Sequence, residues 1–435
     1  MKIKLEDKSK RKIVYDILNI FFDHQDINFT EDDFDLAIGN GEIIYKGKSH
    51  PYADKKDLKA NLYEILSALT GYKSPWGTLT GSKPSKLLKA KSLFEIKETY
   101  KVSDEKIRLL ADVKSEQERL SFDEKAFSLY INIPFCPTRC DYCSYPTLVG
   151  PHHDRGAYVE YLIREIEEIK LPGALDSIYI GGGTPSFLRA DEIIKMLAAI
   201  NNKFTYQEFT FEAGREDTLD KAKLELLKAG GVDRISLNPQ TFNKNILKSL
   251  NRPYDYDHFL NIYKKAKDLG FIINMDFIIG LEGESSKDFA KNFKILGELL
   301  PDNITFHALS IKSGSKYKER DIGGERDQAL IISKKIEEFT RKFSYKPYYL
   351  YRQKNIVSNL ENVGYQRNNT SQRYNIIINE EVSNIIGLGM NANSKLKNGN
   401  KFRNPRNLRD YYQDFDEILR AKNKMINQYM EDING

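Results

Sequence analysis

Three features of this sequence predict an α/β fold. From Phe127 onward, short apolar segments alternate with segments of helical periodicity, six times over. Each apolar segment is short and nearly continuous, as expected of parallel strands covered on both faces by helices. All three cysteines fall within eight residues, directly after the first of those segments.

The first 125 residues read as a separate α/β domain. Residues 34–38 alternate, Gly39-Asn40-Gly41 supplies positive φ, and 42–45 return, which predicts a hairpin. Leu58, Leu62, Ile65, Leu66 and Leu69 recur at helical spacing and end at Gly71, a C-cap signal. Pro75-Trp76-Gly77 breaks the chain, 82–90 adds a short basic segment, and the charge-rich stretch 98–125 predicts a solvated helix.

Residues 126–310 form the second predicted domain, with strands at 127–133, 177–180, 208–213, 234–238, 272–279 and 304–309. Helical patterns at 158–170, 190–200, 219–228 and 259–269 lie between them. Curved into a partial barrel or left open, such a sheet carries its chemistry beyond the carboxyl ends of its strands. The remainder, 311–435, is an extension in which the rhythm stops after about Tyr345. It holds an aromatic run (Tyr345, Tyr348, Tyr349, Tyr351), a strand candidate at 374–379, a turn at Gly387-Leu388-Gly389 and a charged end.

Composition narrows the function classes. Of 435 residues, 40% are apolar and 30% charged, enough for a buried core and against wholesale disorder. The net charge of +5 is too slight to argue for a nucleic-acid partner. The most apolar stretch, 271–281, is broken by Asn274 and Asp276, so no membrane span is expected. Residues 1–12 are basic without an apolar run behind them, unlike a secretory signal, and a cytoplasmic location is the expectation.

Cys136, Cys140 and Cys143 follow the spacing C-x3-C-x2-C. An odd number at such close spacing makes a poor disulfide framework, and a metal or cluster site in a reducing compartment is the better reading. Three thiolates on one loop can hold three irons of a [4Fe–4S] cube and leave the fourth open. The alternative is zinc with His152 or His153 as fourth ligand, although structural zinc sites favour paired knuckles.

With Tyr142 before the last cysteine, this spacing resembles the signature of radical S-adenosylmethionine (SAM) enzymes. The resemblance implies a partial (β/α)6 TIM-like barrel of radical SAM type. It also implies a [4Fe–4S] cluster on the three cysteines, with SAM chelated at the open iron and cleaved to a 5′-deoxyadenosyl radical by an electron from the cluster. Loops at the same strand ends would then complete a SAM site. Gly181-Gly182-Gly183-Thr184-Pro185 follows the second strand, Glu212 ends the third, Asn238 and Gln240 the fourth, and Asp276 lies in the fifth. Singly, each is equally a plain βα turn or a satisfied buried polar group. Together on the cysteine edge they point to function.

The resemblance narrows to the oxygen-independent coproporphyrinogen III oxidase family (HemN/HemW-like), HemZ-type branch. It rests on residues 130–136, 181–185, 238–242, Asn251-Arg252 and 386–389, with 75–87 and 351–365 as branch signatures. Matched motif to motif, Tyr130, Gly182, Glu212, Gln240, Arg252 and Asp276 would contact SAM. Tyr142 adjoins them, and Gly183 and Thr184 would face a second SAM. No catalytic acid or base is assigned. Two positions depart from the founding enzyme: Asn132 replaces a histidine, and Tyr145 replaces a fourth cysteine.

The family's reaction is oxidative decarboxylation of two propionates of coproporphyrinogen III, giving protoporphyrinogen IX in anaerobic haem synthesis. It implies a one-electron donor such as flavodoxin or ferredoxin, and cations to grip the tetrapyrrole carboxylates. Candidates are Arg139, Arg215, Arg352 and Lys354, each equally readable as a solvated charge. Tyr349 and Tyr351 would flank the macrocycle or pack on the barrel. The six cations between Lys395 and Arg409 read as a solvated face rather than an RNA contact. Rival readings are a haem-degrading radical methyltransferase and a haem chaperone, the latter with His307 as a possible ligand against a plain buried histidine.

Overall fold

Apolar side chains at period 3.6 and period 2 pair off into two compact units in the computed structural model. It describes every residue except Asp23, Asp321, Gly323, Gly324, Asn355 and Gly435. One unit comprises Met1–Ser115 with Leu350–Glu361, the other Glu116–Tyr349 with Asn362–Gly435.

The first unit is a five-stranded sheet in the order Asn28–Phe29, Lys2–Leu5, Leu36–Ile38, Glu42–Tyr45, Lys48–Pro51. The predicted hairpin is present, with Gly41 at φ 94°. The helix Lys55–Thr70 starts at Asp54, whose carboxylate accepts from two backbone N–H groups, and ends at Gly71 with φ 71°. With the helix Arg11–Phe21 it buries Val14, Ile17, Leu58, Leu62 and Leu66 against Ile3 and Leu36. The chain break predicted at 75–77 is a turn, with Trp76 inside it. Trp76 is fully buried, and its indole N–H donates to Glu361 at 2.6 Å. The stretch read as a solvated helix is two helices, and the longer, Asp104–Glu118, buries Lys106, Leu110, Val113 and Glu116. Its charges are inside because they are paired, Lys106 with Glu361 and Glu116 with Lys346.

The second unit contains the parallel strands β1 (Phe127–Ile133), β2 (Ala174–Gly182), β3 (Thr205–Gly214), β4 (Arg234–Leu237), β5 (Ile272–Ile279) and β6 (Asn303–Ala308). Each pairs in parallel with the next, in chain order, with helices between, as the partial (β/α)6 barrel requires. The extension adds β7 (Lys346–Tyr351), β8 (Asn362–Gln366), β9 (Asn384–Leu388), β10 (Asn393–Lys395) and β11 (Lys401–Arg403). The full order is β7-β8-β6-β5-β4-β3-β2-β1-β9-β10-β11.

Two expectations for the extension are overturned. Residues 374–379 are not a strand but lie in the helix Arg373–Glu380, which buries Tyr374, Ile376, Ile377 and Glu380. The β-branched run Ile376-Ile377-Ile378 mimics a strand, but tertiary burial on one helical face decides. Gly387 is not in a turn but inside β9, parallel to β1. A Cβ there would lie 2.6 Å from the carbonyl oxygen of Asn393, so the glycine admits a crossing backbone. The aromatic run packs: Tyr345, Tyr348 and Tyr349 are buried, with the Tyr349 hydroxyl 3.2 Å from Thr305 Oγ1 on β6. Among the described residues no helix is long and apolar enough to cross a membrane.

Candidate cofactor site

The cysteine loop leaves the carboxyl end of β1 and is closed at its base by Phe135–Cys136 pairing with Leu148–Val149. The glycine turn after β2 braces it, with Gly183 N–H donating to Ile133 O at 2.8 Å and Thr184 N–H to Phe135 O at 2.8 Å. From the other side, Asp141 N–H donates to Leu250 O and Asn251 Nδ2 to Arg139 O, both at 3.1 Å. Arg252, buried, lies 4.0 Å from Cys140 Sγ and donates to the carbonyls of Gly214 and Asn238. Thus the turns after β2 and β4 are struts for three sulfurs.

All three cysteines are free thiols. Burial pushes Cys136 up to about 11 and also raises Cys143, and neighbouring cysteine charge adds to both shifts. Such thiols give up their protons to a metal centre rather than to water. Cys136 Sγ is 3.3 Å from Thr184 Oγ1, and a Cβ on Gly183 would come within 3.0 Å of that sulfur. Among the described residues no set of three or more His, Cys, Asp or Glu side chains converges as a single metal ion needs.

Beside the thiols lies an acidic recess. Glu212 on β3 accepts from the Tyr179 hydroxyl and from Gly182 N–H, yet burial and then the charge of Asp276 push it up to about 7. Gly182 has φ 120°, and a Cβ there would lie 2.3 Å from Asn132 Oδ1. Gln240 adopts φ 67°, locked by Gln240 N–H to Asp276 O at 3.0 Å and Ile278 N–H to Gln240 O at 2.9 Å. Its Oε1 is buried without a hydrogen-bond partner. Two neighbouring carboxylates and an orphaned amide oxygen are the donor set that an ammonium or sulfonium ligand would satisfy, so these residues fit SAM.

The site thereby brings together Cys136, Cys140, Cys143, Tyr142, Arg252, Gly182, Glu212, Gln240 and Asp276 around the strand ends. Thr184 and Gly183 back the cysteine loop itself. Tyr130 stacks on Tyr179 and Tyr374, with centroids 6.2 and 6.1 Å away, and its hydroxyl is 2.9 Å from that of Tyr145. Tyr179 and Tyr374 were missed in the sequence. Their signal was faint, one tyrosine in an apolar strand and one 195 residues later in a helix misread as strand. His307 is half-buried, its Nε2 3.8 Å from Asp276 Oδ2.

The predicted carboxylate-gripping cations fare differently. Arg215 is buried in a two-point contact with Asp217 at 2.9 and 2.6 Å and donates to Thr138. Arg352 belongs to the first unit, donates to the carbonyls of Leu79, Leu360 and Asn359, and is pulled down to about 10 by burial. Both are internal struts, since every buried guanidinium must be matched. Arg139 donates to Gly314 O at 2.5 Å, and Lys354 is exposed in the first unit.

Residues 130–296 match the Radical SAM superfamily. The oxygen-independent coproporphyrinogen-III oxidase-like protein HemZ of Bacillus subtilis is 35% identical over 402 residues, covering 84% of this chain and 80% of its own length. This chain belongs to the oxygen-independent coproporphyrinogen III oxidase-like family of radical SAM proteins. Membership implies a [4Fe–4S] cluster and SAM. The heme chaperone HemW of Buchnera aphidicola (subsp. Schizaphis graminum) is 26% identical, over 70% of this chain and 75% of that protein. The solved HemN from Escherichia coli, titled a radical SAM enzyme, aligns over 80% of this chain and 77% of its own at TM-score 0.57 and 22% identity, which bears on fold alone.

Proposed function

We propose that this radical SAM protein converts coproporphyrinogen III to protoporphyrinogen IX by oxidative decarboxylation of two propionates. The observation that carries this reading is the 35% identity to the HemZ protein across most of both chains, with the thiols and the acidic recess on one strand edge. When bound, the cluster and SAM supply a hydrogen-abstracting radical.

The chain's own residues do the positioning. Cys136, Cys140 and Cys143 deprotonate to hold three irons, and Thr184 steadies Cys136 through its hydroxyl. Glu212 and Asp276 would hold the cationic part of SAM, with Gln240 as a further acceptor. Gly182 leaves its backbone bare so that the ligand can approach. Tyr130, Tyr179 and Tyr374 wall the recess with stacked rings that exclude water. For each propionate, one hydrogen atom leaves the β-carbon, carbon dioxide leaves as the carboxylate C–C bond breaks, and one electron passes to an acceptor.

The HemW similarity supports a haem-carrier reading as the rival. Anaerobically reconstituted protein with SAM, a reductant and coproporphyrinogen III decides between them. Product lighter by two formic acid equivalents, with 5′-deoxyadenosine formed in step, is the expected result. Stoichiometric haem binding without substrate-dependent 5′-deoxyadenosine would replace it with the carrier.

A further inference from the structure

Two cations reach the cysteine loop from opposite edges of the parallel sheet. The first is Arg403, at the end of β11, in the basic run that the fold otherwise leaves on the surface. Its Nη2 donates to Asn391 Oδ1 at 2.6 Å. Asn391 follows Met390, whose carbonyl takes a hydrogen bond from Asn132 Nδ2 at 2.6 Å, and Asn132 Oδ1 accepts from Tyr145 at 2.8 Å. Arg403 is thereby linked through Asn391, Met390 and Asn132 to Tyr145, two residues past Cys143, and its charge acts on that phenol. The second is Lys312, in the segment after β6. That segment is clamped on the cysteine loop by Arg139 to Gly314 O, by Tyr317 N–H to Asp141 O at 3.2 Å, and by Lys316 to Asp141 at 2.9 Å. Burial lowers the Lys312 ammonium, and the charge of nearby Cys143 opposes that shift.

Neighbouring cations are neutralised: Arg215 by Asp217, Lys316 and Arg320 by Asp141, Lys395 by Glu381. Arg403 and Lys312 are not. Both are exposed, and among the described residues neither has a carboxylate within ion-pair distance. A guanidinium with most of its fork unspent and an unpaired ammonium, both beside the reacting edge, select an anionic ligand rather than a neutral one.

We propose that Arg403 and Lys312 are the carboxylate-binding pair for the tetrapyrrole, gripping propionates from opposite rims of the cysteine loop. The proposal rests on the functional reading above and supplies what Arg215 and Arg352 cannot. The carboxylates could belong to a coproporphyrinogen, with four, or to haem, with two, and the test separates them.

Coproporphyrin III, the stable oxidised macrocycle, is titrated by fluorescence quenching into reconstituted wild type, Arg403→Gln, Lys312→Gln and Arg403→Lys. Haem is titrated in parallel by absorbance. Loss of one charge-assisted contact should weaken coproporphyrin binding about tenfold in each Gln variant, with Arg403→Lys within about threefold of wild type. Cluster absorbance and SAM affinity should not move in any of them, which also reports that the variants are folded. Unchanged coproporphyrin and haem affinities in both Gln variants would overturn the pair while leaving the functional reading intact. Weakened haem binding with unchanged coproporphyrin binding would keep the pair as a carboxylate site and overturn coproporphyrinogen as its substrate. A wild type that binds neither macrocycle would overturn both.

Discussion

The Tyr145 hydroxyl donates to Asn132 Oδ1 at 2.8 Å, joining the residue two places after the third cysteine to the end of β1. The same oxygen accepts from Tyr130 at 3.1 Å, while Asn132 Nδ2 is spent on Met390 O and Asn132 O accepts from Tyr158 at 2.5 Å. Asn132 and Tyr145 are thus one hydrogen-bonded unit. Tyr145→Phe removes one donor but leaves Asn132 satisfied by Tyr130, so it should cost about 1 kcal/mol. Asn132→Leu strands the Met390 carbonyl and one phenol hydrogen, the two hydroxyls still bonding each other at 2.9 Å, and should cost about 3 kcal/mol. Denaturant unfolding of the two variants checks the order, and equal losses would contradict it.

Glu212 makes SAM binding pH-dependent in a defined direction. Its carboxyl titrates near 7 rather than the ordinary 4.5, because burial and Asp276 disfavour the charged form. A cationic ligand favours the ionised form, so binding expels a proton below that pH. SAM affinity should therefore fall by about tenfold per pH unit as pH drops below 7, and level off above it. For the ligand-free fold the sign is opposite: the raised carboxyl stabilises the protein at low pH, and that contribution is lost as pH rises from 4.5 through 7. Glu212→Gln should flatten the SAM profile between pH 6 and 8, with cluster content unchanged. Equilibrium binding across that range measures it.

Gly182 carries two independent constraints. At φ 120° an L side chain is strained, and a Cβ would collide with Asn132 Oδ1 at 2.3 Å and Ile133 O at 2.7 Å. Gly182→Ala should abolish measurable SAM binding and destabilise the protein by about 2–4 kcal/mol. Gly81, with open space around its missing Cβ, is the control: Gly81→Ala should be near neutral. Thermal unfolding and SAM titration of the pair test the contrast.

What could be read from the chain follows the range of the forces involved. The six parallel strands were legible because each is a local apolar run, and the cysteine loop because its ligands are adjacent in sequence. Arg352 was not, since its role depends on carbonyls of Leu79 and Leu360 from far-apart segments. Nor was the strand Lys2–Leu5, whose parallel partners at 28–29 and 36–38 leave no hairpin signal. The helix Arg373–Glu380 was misread because three consecutive isoleucines outweigh, locally, the contacts that settle it: Tyr374 on Tyr179 at 4.7 Å and Arg373 on Asp176 at 2.6 Å. The acidic recess was legible residue by residue, but its electrostatic coupling was visible only once Glu212 and Asp276 shared a strand edge.

The helix Phe415–Asn434 reaches the site through a buried ion pair. Lys422 and Glu165, both fully buried, meet at 2.5 Å, and Lys422 also donates to Gly387 O on β9. Glu165 further accepts from Gly389 N–H at 2.7 Å, Tyr411 at 2.8 Å and Asn404 at 3.2 Å. Gly389 precedes Met390, the anchor of Asn132, so the pair fixes the floor under Tyr130 and Tyr145. Lys422→Met leaves a buried carboxylate without its counter-charge and should cost about 3–5 kcal/mol. Adding Glu165→Gln removes that stranded charge while keeping the shape, so the double variant should recover a large part of the loss. If the double variant is no more stable than Lys422→Met in denaturant unfolding, the pair holds the floor by packing and not by charge. A loss of SAM affinity in Lys422→Met that the second substitution reverses would show that this remote helix sets the geometry of the cofactor recess.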